Sequence, residues 1–268
     1  MKKKKILFIL IAIVILCLLL FFGYFFVFQE DKVAVLTYHD VVDVIDDPAT
    51  VNISVQKFES QIKWLSDNGY TSLSMDEFYD WKVNNKKFPR KSVLITFDDG
   101  WHSFYSKAIP ILEKYNMKAS VFVIWKYSEN CTIRNEDVYM NLEEIKDVVE
   151  NHPNMTILSH SYGLHEKEQA LSRNYDLYSN DMKKVKQLSN IDIKYYAYPF
   201  GNRNDEYISA LKDNDYRIAF TFGPYEFATR SSSNYEIPRI GLFESTPDWK
   251  FKLKMFFRLY AEHVAMFK

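Results

Sequence analysis

Six short apolar runs recur along the chain after residue 31, and stretches of helical patterning separate them; this alternation constrains the fold more than any other feature. The runs are Lys32–Tyr38 (KVAVLTY), Ser92–Phe97 (SVLITF), 119–124, 156–159, 195–198 and 217–221. Each is short, rich in β-branched or aromatic residues and apolar at most positions, as strands buried on both faces are. Between them, Ser54 opens a helical stretch that sets Phe58, Ile62 and Leu65 on one face and stops at Gly69. Ser74-Met75-Asp76-Glu77 has the pattern of a capping box. Pro110 marks a kink or restart in a helix through Ile109, Ile111 and Leu112, and further helices are expected at 142–150, 174–188, 205–211 and from Asp248 to the end. Strands alternating with helices imply a parallel sheet covered by helices, and this number of repeats favours a closed or nearly closed α/β barrel. In such folds chemistry gathers where strands end and loops begin.

The first 28 residues are of a different kind. Lys2 to Lys5 precede an uncharged 23-residue run from Ile6 to Phe28. As a helix that run reaches about 34 Å, against a hydrocarbon core of about 30 Å. A cleaved signal peptide has a shorter apolar region and a small-residue cleavage site, whereas this run ends Phe25-Phe26-Val27-Phe28. We therefore expect residues 1–28 to be cytoplasmic lysines plus an uncleaved transmembrane helix, and residues 29–268 to be one large extracellular domain. The address is then the cell membrane, with a single pass. The whole chain is balanced, with 34 Lys+Arg against 35 Asp+Glu. Four of those bases lie in the anchor, so the remainder is mildly acidic and lacks the basic footprint of a nucleic-acid-binding protein. With 26% charged and 47% hydrophobic residues the chain is neither disordered nor a multi-span membrane protein, and two cysteines exclude a disulfide-stapled scaffold.

Three strand ends carry residues suited to chemistry. Thr96-Phe97-Asp98-Asp99-Gly100 puts two adjacent carboxylates at the end of an apolar strand. They are costly to bury unless a cation or proton neutralises them. Successive strand residues point opposite ways, so one carboxylate can hold a cation while the other faces substrate; a turn with a helix N-cap is the plainer reading. His160-Ser161-Tyr162-Gly163-Leu164-His165 follows the strand ending at Ser159. A spacing of five residues is off the helical period and suits a loop wrapped around a metal. Two imidazoles plus a carboxylate form a common open site for zinc or ferrous iron. Tyr198-Pro199-Phe200-Gly201 is a turn directly after a strand, able to hold a main-chain N–H as an oxyanion donor.

Taken together and in this order, these segments resemble the polysaccharide deacetylases, the family-four carbohydrate esterases with a NodB-type domain. The resemblance runs from about Val33 to Leu242. It implies a distorted (β/α) barrel of seven or eight strands and metal-dependent removal of acetyl groups from N-acetylated sugars, a hydrolysis of an amide carbon–nitrogen bond. Asp98 would be the general base, and Asp99, His160 and His165 would hold a divalent metal. Zinc is the default for that ligand set, with iron, cobalt and nickel as alternatives. The main chain near Phe200 would contribute to the oxyanion hole.

Departures from the common pattern refine the expectation. Most members space the two histidines four apart, place an arginine before the Pro-Tyr/Phe turn, and carry a late Leu-x-His motif. Here the spacing is five, Tyr196-Ala197-Tyr198 has no arginine, and Arg239-Ile240-Gly241-Leu242 has no histidine. Leu36-Thr37-Tyr38-His39-Asp40, however, ends the first strand. This resembles the branch that deacetylates poly-N-acetylglucosamine in biofilms, where a Tyr-His segment near the N-terminus takes over the late motif and would make His39 the general acid. The expected partner is therefore an N-acetylated surface polysaccharide, poly-N-acetylglucosamine first and peptidoglycan second. Two other readings stay open: a degenerate deacetylase that only binds wall glycan, and an assembly protein working through the basic-aromatic stretch from Trp249 to Phe267.

Overall fold

The computed structural model describes residues 2–27, 32–47, 50–89, 91–223 and 226–257 of the chain. Residues up to Asp31 form one compact unit and Lys32 onward a second. The first holds a single helix, α1 (Lys2–Val27), over the segment expected to anchor the protein. Its side chains are described at residues 4, 5, 8 and 10–20, a stretch shorter than a span. Among the described residues no helix is long and apolar enough to cross a membrane.

The second unit follows the expected alternation. In chain order it runs β1 (Lys32–Tyr38), β2 (Val41–Val42), β3 (Ile53–Ser54), α2 (Val55–Asp67), β4 (Thr71–Ser72), α3 (Met75–Val83) and β5 (Ser92–Phe97). A π-turn at Phe104–Ala108 then leads into α4 (Ile109–Lys114), so Pro110 begins a helix rather than breaking one. After β6 (Ala119–Val123) come α5 (Trp125–Arg134), α6 (Leu142–Asn151), β7 (Met155–Ser159), α7 (Lys167–Ala170), α8 (Tyr175–Ser189) and β8 (Tyr195–Ala197). The chain continues through α9 (Asp205–Asp213), β9 (Ile218–Phe220), β10 (Ala228–Thr229), β11 (Ile240–Gly241) and α10 (Asp248–Phe257). Ser54 caps α2, and Ser74 with Glu77 forms the expected capping box on α3. Helix α5 was not foreseen: it starts immediately after β6 at Ile124 with no side-chain cap to announce it.

Strands β1, β5, β6, β7, β8 and β9 pair in parallel in that order and curl into a distorted barrel. The expected seven or eight strands become a nine-stranded mixed sheet, with β10 antiparallel on β1. Strands β4, β10 and β11 are two residues long, too short to show any periodicity in sequence. One feature brings the sheet edges together. Ile237 bridges Phe220 at the end of β9, and three residues later Ile240 in β11 pairs with Leu36 of β1. The segment between them seams the barrel.

Alternate strand residues separate into two cores. Ala34, Leu36, Val93, Ile95, Val121 and Ile157 pack outward with Phe58, Ile62 and Leu65 of α2. Val33, Val35, Leu94, Phe122, Leu158 and Phe220 fill the interior, joined by Phe78 and Trp81 of α3. Because both faces are covered, β1, β5, β6, β8 and β9 are buried at every position, which is why they read as continuous apolar runs. The interior parity of Leu94 and Leu158 carries on past the strand ends to Asp98 and His160. Helix α10 packs on the barrel through Phe251 and Met255; the rest of the expected C-terminal helix, 258–268, lies outside the described residues.

Candidate active site

Asp98 and Asp99 leave β5 in different directions. Asp99 sits at φ 70° and Gly100 at φ 79°, two consecutive left-handed residues that fold the chain back on itself. Asp tolerates that region better than most residues, and at Gly100 a Cβ would lie 3.2–3.3 Å from Val123. The kink sends the two carboxylates to separate partners.

Asp99 meets the histidine loop. His165 Nε2 lies 3.2 Å and His160 Nε2 3.6 Å from Asp99 Oδ1, and Trp101 Nε1 donates to Oδ2 at 3.2 Å. His160 Nδ1 donates to the Ala197 carbonyl at 2.8 Å, which fixes the tautomer and leaves Nε2 as a free acceptor turned toward Asp99. Burial pushes the His160 imidazole down to about 4, against the pull of Asp98 and Asp99, so it is neutral at neutral pH. One ligand atom from each of Asp99, His160 and His165 falls within 4.8 Å of the others.

Asp98 is enclosed, only 3% exposed, and its charge is met by an arginine that is 0% exposed. Arg239 Nη1 and Nη2 donate to Oδ1 and Oδ2 at 2.6 and 2.7 Å, and Arg239 Nε donates to the Thr221 carbonyl at 2.8 Å. Burial alone would raise the Asp98 carboxyl; Arg239 first, then His160 and His39, outweigh it and hold the group below the usual carboxylate range. Asp98 is therefore an ionised, buried acceptor. Arg239 answers the charge of Asp98, whereas Asp99 faces imidazole nitrogens and no Lys or Arg. A divalent cation among Asp99, His160 and His165 would balance the Asp99 carboxylate, so the donor set fits a metal.

His39 follows β1 and sets Nε2 4.0 Å from Asp98 Oδ2. Its ring lies edge-on to Phe222 at 5.7 Å and near Phe243 at 6.4 Å, and its Nδ1 is buried with no hydrogen-bond partner among the described residues. Phe200 sits at φ 57° in a 3-10 turn, 47% exposed, with its ring 4.5 Å from that of His165. Gly201 makes the turn feasible: at φ 71° its Cβ would come within 2.5 Å of the Phe222 main-chain nitrogen. All six residues singled out in the sequence thus lie at neighbouring strand ends.

The seventh was missed. Arg239 does not precede the turn at Pro199, where the family pattern expects an arginine. Instead it enters from the seam between Ile237 and Ile240. The sequence signal was slight, an arginine between single isoleucines at 237 and 240, and its partner lies 141 residues away.

Comparison with known proteins bears on the fold and the family. The family model described as polysaccharide deacetylase matches residues 85–219. A poly-beta-1,6-N-acetyl-D-glucosamine N-deacetylase of Staphylococcus epidermidis is 30% identical over 236 residues, covering 80% of either chain. Among solved structures, the Streptococcus pyogenes deacetylase PplD matches with a TM-score of 0.73 at 23% identity, over 85% of this chain and 99% of that one. IcaB from Ammonifex degensii matches with a TM-score of 0.70 at 24% identity, over 86% and 99%. The structural likeness speaks for the fold and the sequence matches for the family: the chain belongs to the polysaccharide deacetylases and is a hydrolase of amide bonds.

Proposed function

We propose that this deacetylase acts with a bound divalent metal, zinc by default, on the N-acetyl groups of a surface polysaccharide, poly-N-acetylglucosamine foremost. The observation that carries this reading is the division of labour between the two carboxylates: Asp99 converges with His160 and His165, while Asp98 is kept ionised by Arg239 and turned toward His39. The Staphylococcus epidermidis relative, whose name specifies poly-beta-1,6-N-acetyl-D-glucosamine, supports the substrate.

Asp99, His160 and His165 would hold the metal, which when bound supplies Lewis acidity to the amide carbonyl and to water. Asp98 accepts the proton of the attacking water at Oδ2. The main-chain N–H of Phe200 donates to the carbonyl oxygen as it gains negative charge. His39 delivers a proton from Nε2 to the departing nitrogen, since an amine anion is otherwise a very poor leaving group. The acetamide carbon–nitrogen bond breaks, and acetate and a free sugar amine result. We place the enzyme at the outer face of the cell membrane, held by residues 6–28, where such a polysaccharide is met.

The test is acetate release by the purified protein from defined poly-β-1,6-N-acetylglucosamine oligomers and from peptidoglycan fragments, each with and without a chelator. Release from the oligomers that stops with chelator and returns with zinc supports the reading. Faster release from peptidoglycan overturns the substrate, and release indifferent to chelator overturns the metal.

A further inference from the structure

Helix α8 carries none of the motifs above, yet one of its residues reaches the loop between the two histidines. Asp181 is 7% exposed. Its Oδ1 accepts the main-chain N–H of Tyr162 and its Oδ2 that of Gly163, both at 2.8 Å. The same loop is tied from other sides. Ser161, at φ 89°, offers its carbonyl to Trp125 N–H, and Tyr162 offers its own to Lys126 N–H, both at the start of α5. Ser161 Oγ accepts the Leu164 N–H at 3.0 Å. Among these anchors Asp181 is the one charge, and it is an expensive choice. Burial pushes its carboxyl up to about 6, against the pull of the two N–H bonds and of Lys184, and a surface turn can satisfy the same N–H groups with water.

His160 and His165 stand five positions apart, a spacing that no helix or strand period holds in place. Something outside the loop has to set the distance between the imidazoles. We propose that Asp181 is a positioning residue for metal capture, clamping the Tyr162 and Gly163 amides so that His160 and His165 stand in register with Asp99 before a metal arrives. The inference rests on the metal-holding reading of those three residues. A ligand loop already ordered loses less entropy on binding, so the clamp converts directly into affinity.

The experiment uses the full chain purified in detergent and freed of metal. Zinc affinity is measured by competition with a chromophoric chelator for the wild type, Asp181→Asn and Asp181→Ala. Amide hydrogen exchange at Tyr162 and Gly163 is followed in the metal-free wild type. The clamp predicts protected amides before metal is added. It also predicts a zinc affinity about 10–100-fold weaker in Asp181→Asn and weaker again in Asp181→Ala. In cobalt-loaded variants the absorption spectrum should keep the wild-type shape, because all three ligands remain. An affinity within about threefold of wild type in a variant with a cooperative melt overturns the proposal, since a merely structural role would move the melting temperature alone. Unprotected Tyr162 and Gly163 amides in the metal-free wild type overturn it even if neither variant folds. A wild type that binds no zinc overturns the metal reading itself, and this inference with it.

Discussion

Removing the Arg239 side chain should do two separable things. In Arg239→Met the Asp98 carboxylate keeps its burial but loses both guanidinium hydrogen bonds, at 2.6 and 2.7 Å, and the opposite charge behind them. Stranding one partner of a buried pair costs about 3–5 kcal/mol, and the lost bond to the Thr221 carbonyl adds about 1 kcal/mol. For a domain of this size the combined loss is a fall of roughly 8–24 °C in melting temperature. The second effect is on charge. With Arg239 gone, burial dominates and the Asp98 carboxyl moves from below the usual range to above it, so the acid limb of kcat/KM shifts to higher pH. Arg239→Lys, which keeps the charge without the two-pronged geometry, should fall between. Asp98→Asn with Arg239→Met leaves neither charge stranded and should be milder than the summed single losses by roughly 1–3 kcal/mol. Thermal melts of the wild type, Arg239→Met, Arg239→Lys, Asp98→Asn and the double variant, with pH–rate profiles of the three proteins that keep Asp98, test this. An Arg239→Met protein that loses less than about 1 kcal/mol and keeps its acid limb would refute the reasoning.

Other expectations follow from single contacts. His39→Gln should lower kcat by about 10²–10⁴ while leaving bound zinc unchanged by elemental analysis; near-normal turnover would remove His39 from the reaction. Gly201→Ala meets both a positive φ and a Cβ 2.5 Å from the Phe222 nitrogen, and should destabilise by roughly 2–4 kcal/mol. Gly69→Ala, at the same φ of 71° but with nothing within 4 Å, should lose only about 1 kcal/mol in the same denaturant titration. Asp181 binds its proton more tightly folded than unfolded, because burial lifts its carboxyl to about 6. Ionising it thus lowers stability as pH rises from about 4 to about 6, by up to ~3 kcal/mol. Lys184 and the buried hydroxyls of Tyr196, Tyr207 and Tyr216 feel the same charge. Urea titrations across that range should show the slope in the wild type and not in Asp181→Asn.

What could be foreseen depended on how far apart in sequence the interacting groups lie. Asp98-Asp99, His160 with His165, and the turn at Phe200 each follow a mostly buried apolar strand, so position along the chain already placed them at one end of the barrel. Arg239 was invisible because β11 has two residues, too few for any pattern, and because an ion pair leaves no trace in composition. Asp181 sits mid-helix, where an aspartate reads as one more solvated charge. The strand count failed for the same reason as Arg239, since β4, β10 and β11 owe their pairing to neighbours rather than to their own residues.

The seam of the barrel has a consequence for how the enzyme comes into being. A chain made from its N-terminus presents Asp98 long before Arg239. Until the segment from Ile237 to Gly241 docks between β9 and β1, Asp98 has no guanidinium to keep it ionised. Burial then favours the protonated acid, which cannot take a proton from water. If Asp98 is the base we propose, hydrolytic competence arrives with the last strand, and a chain in which that segment has not docked should be inactive.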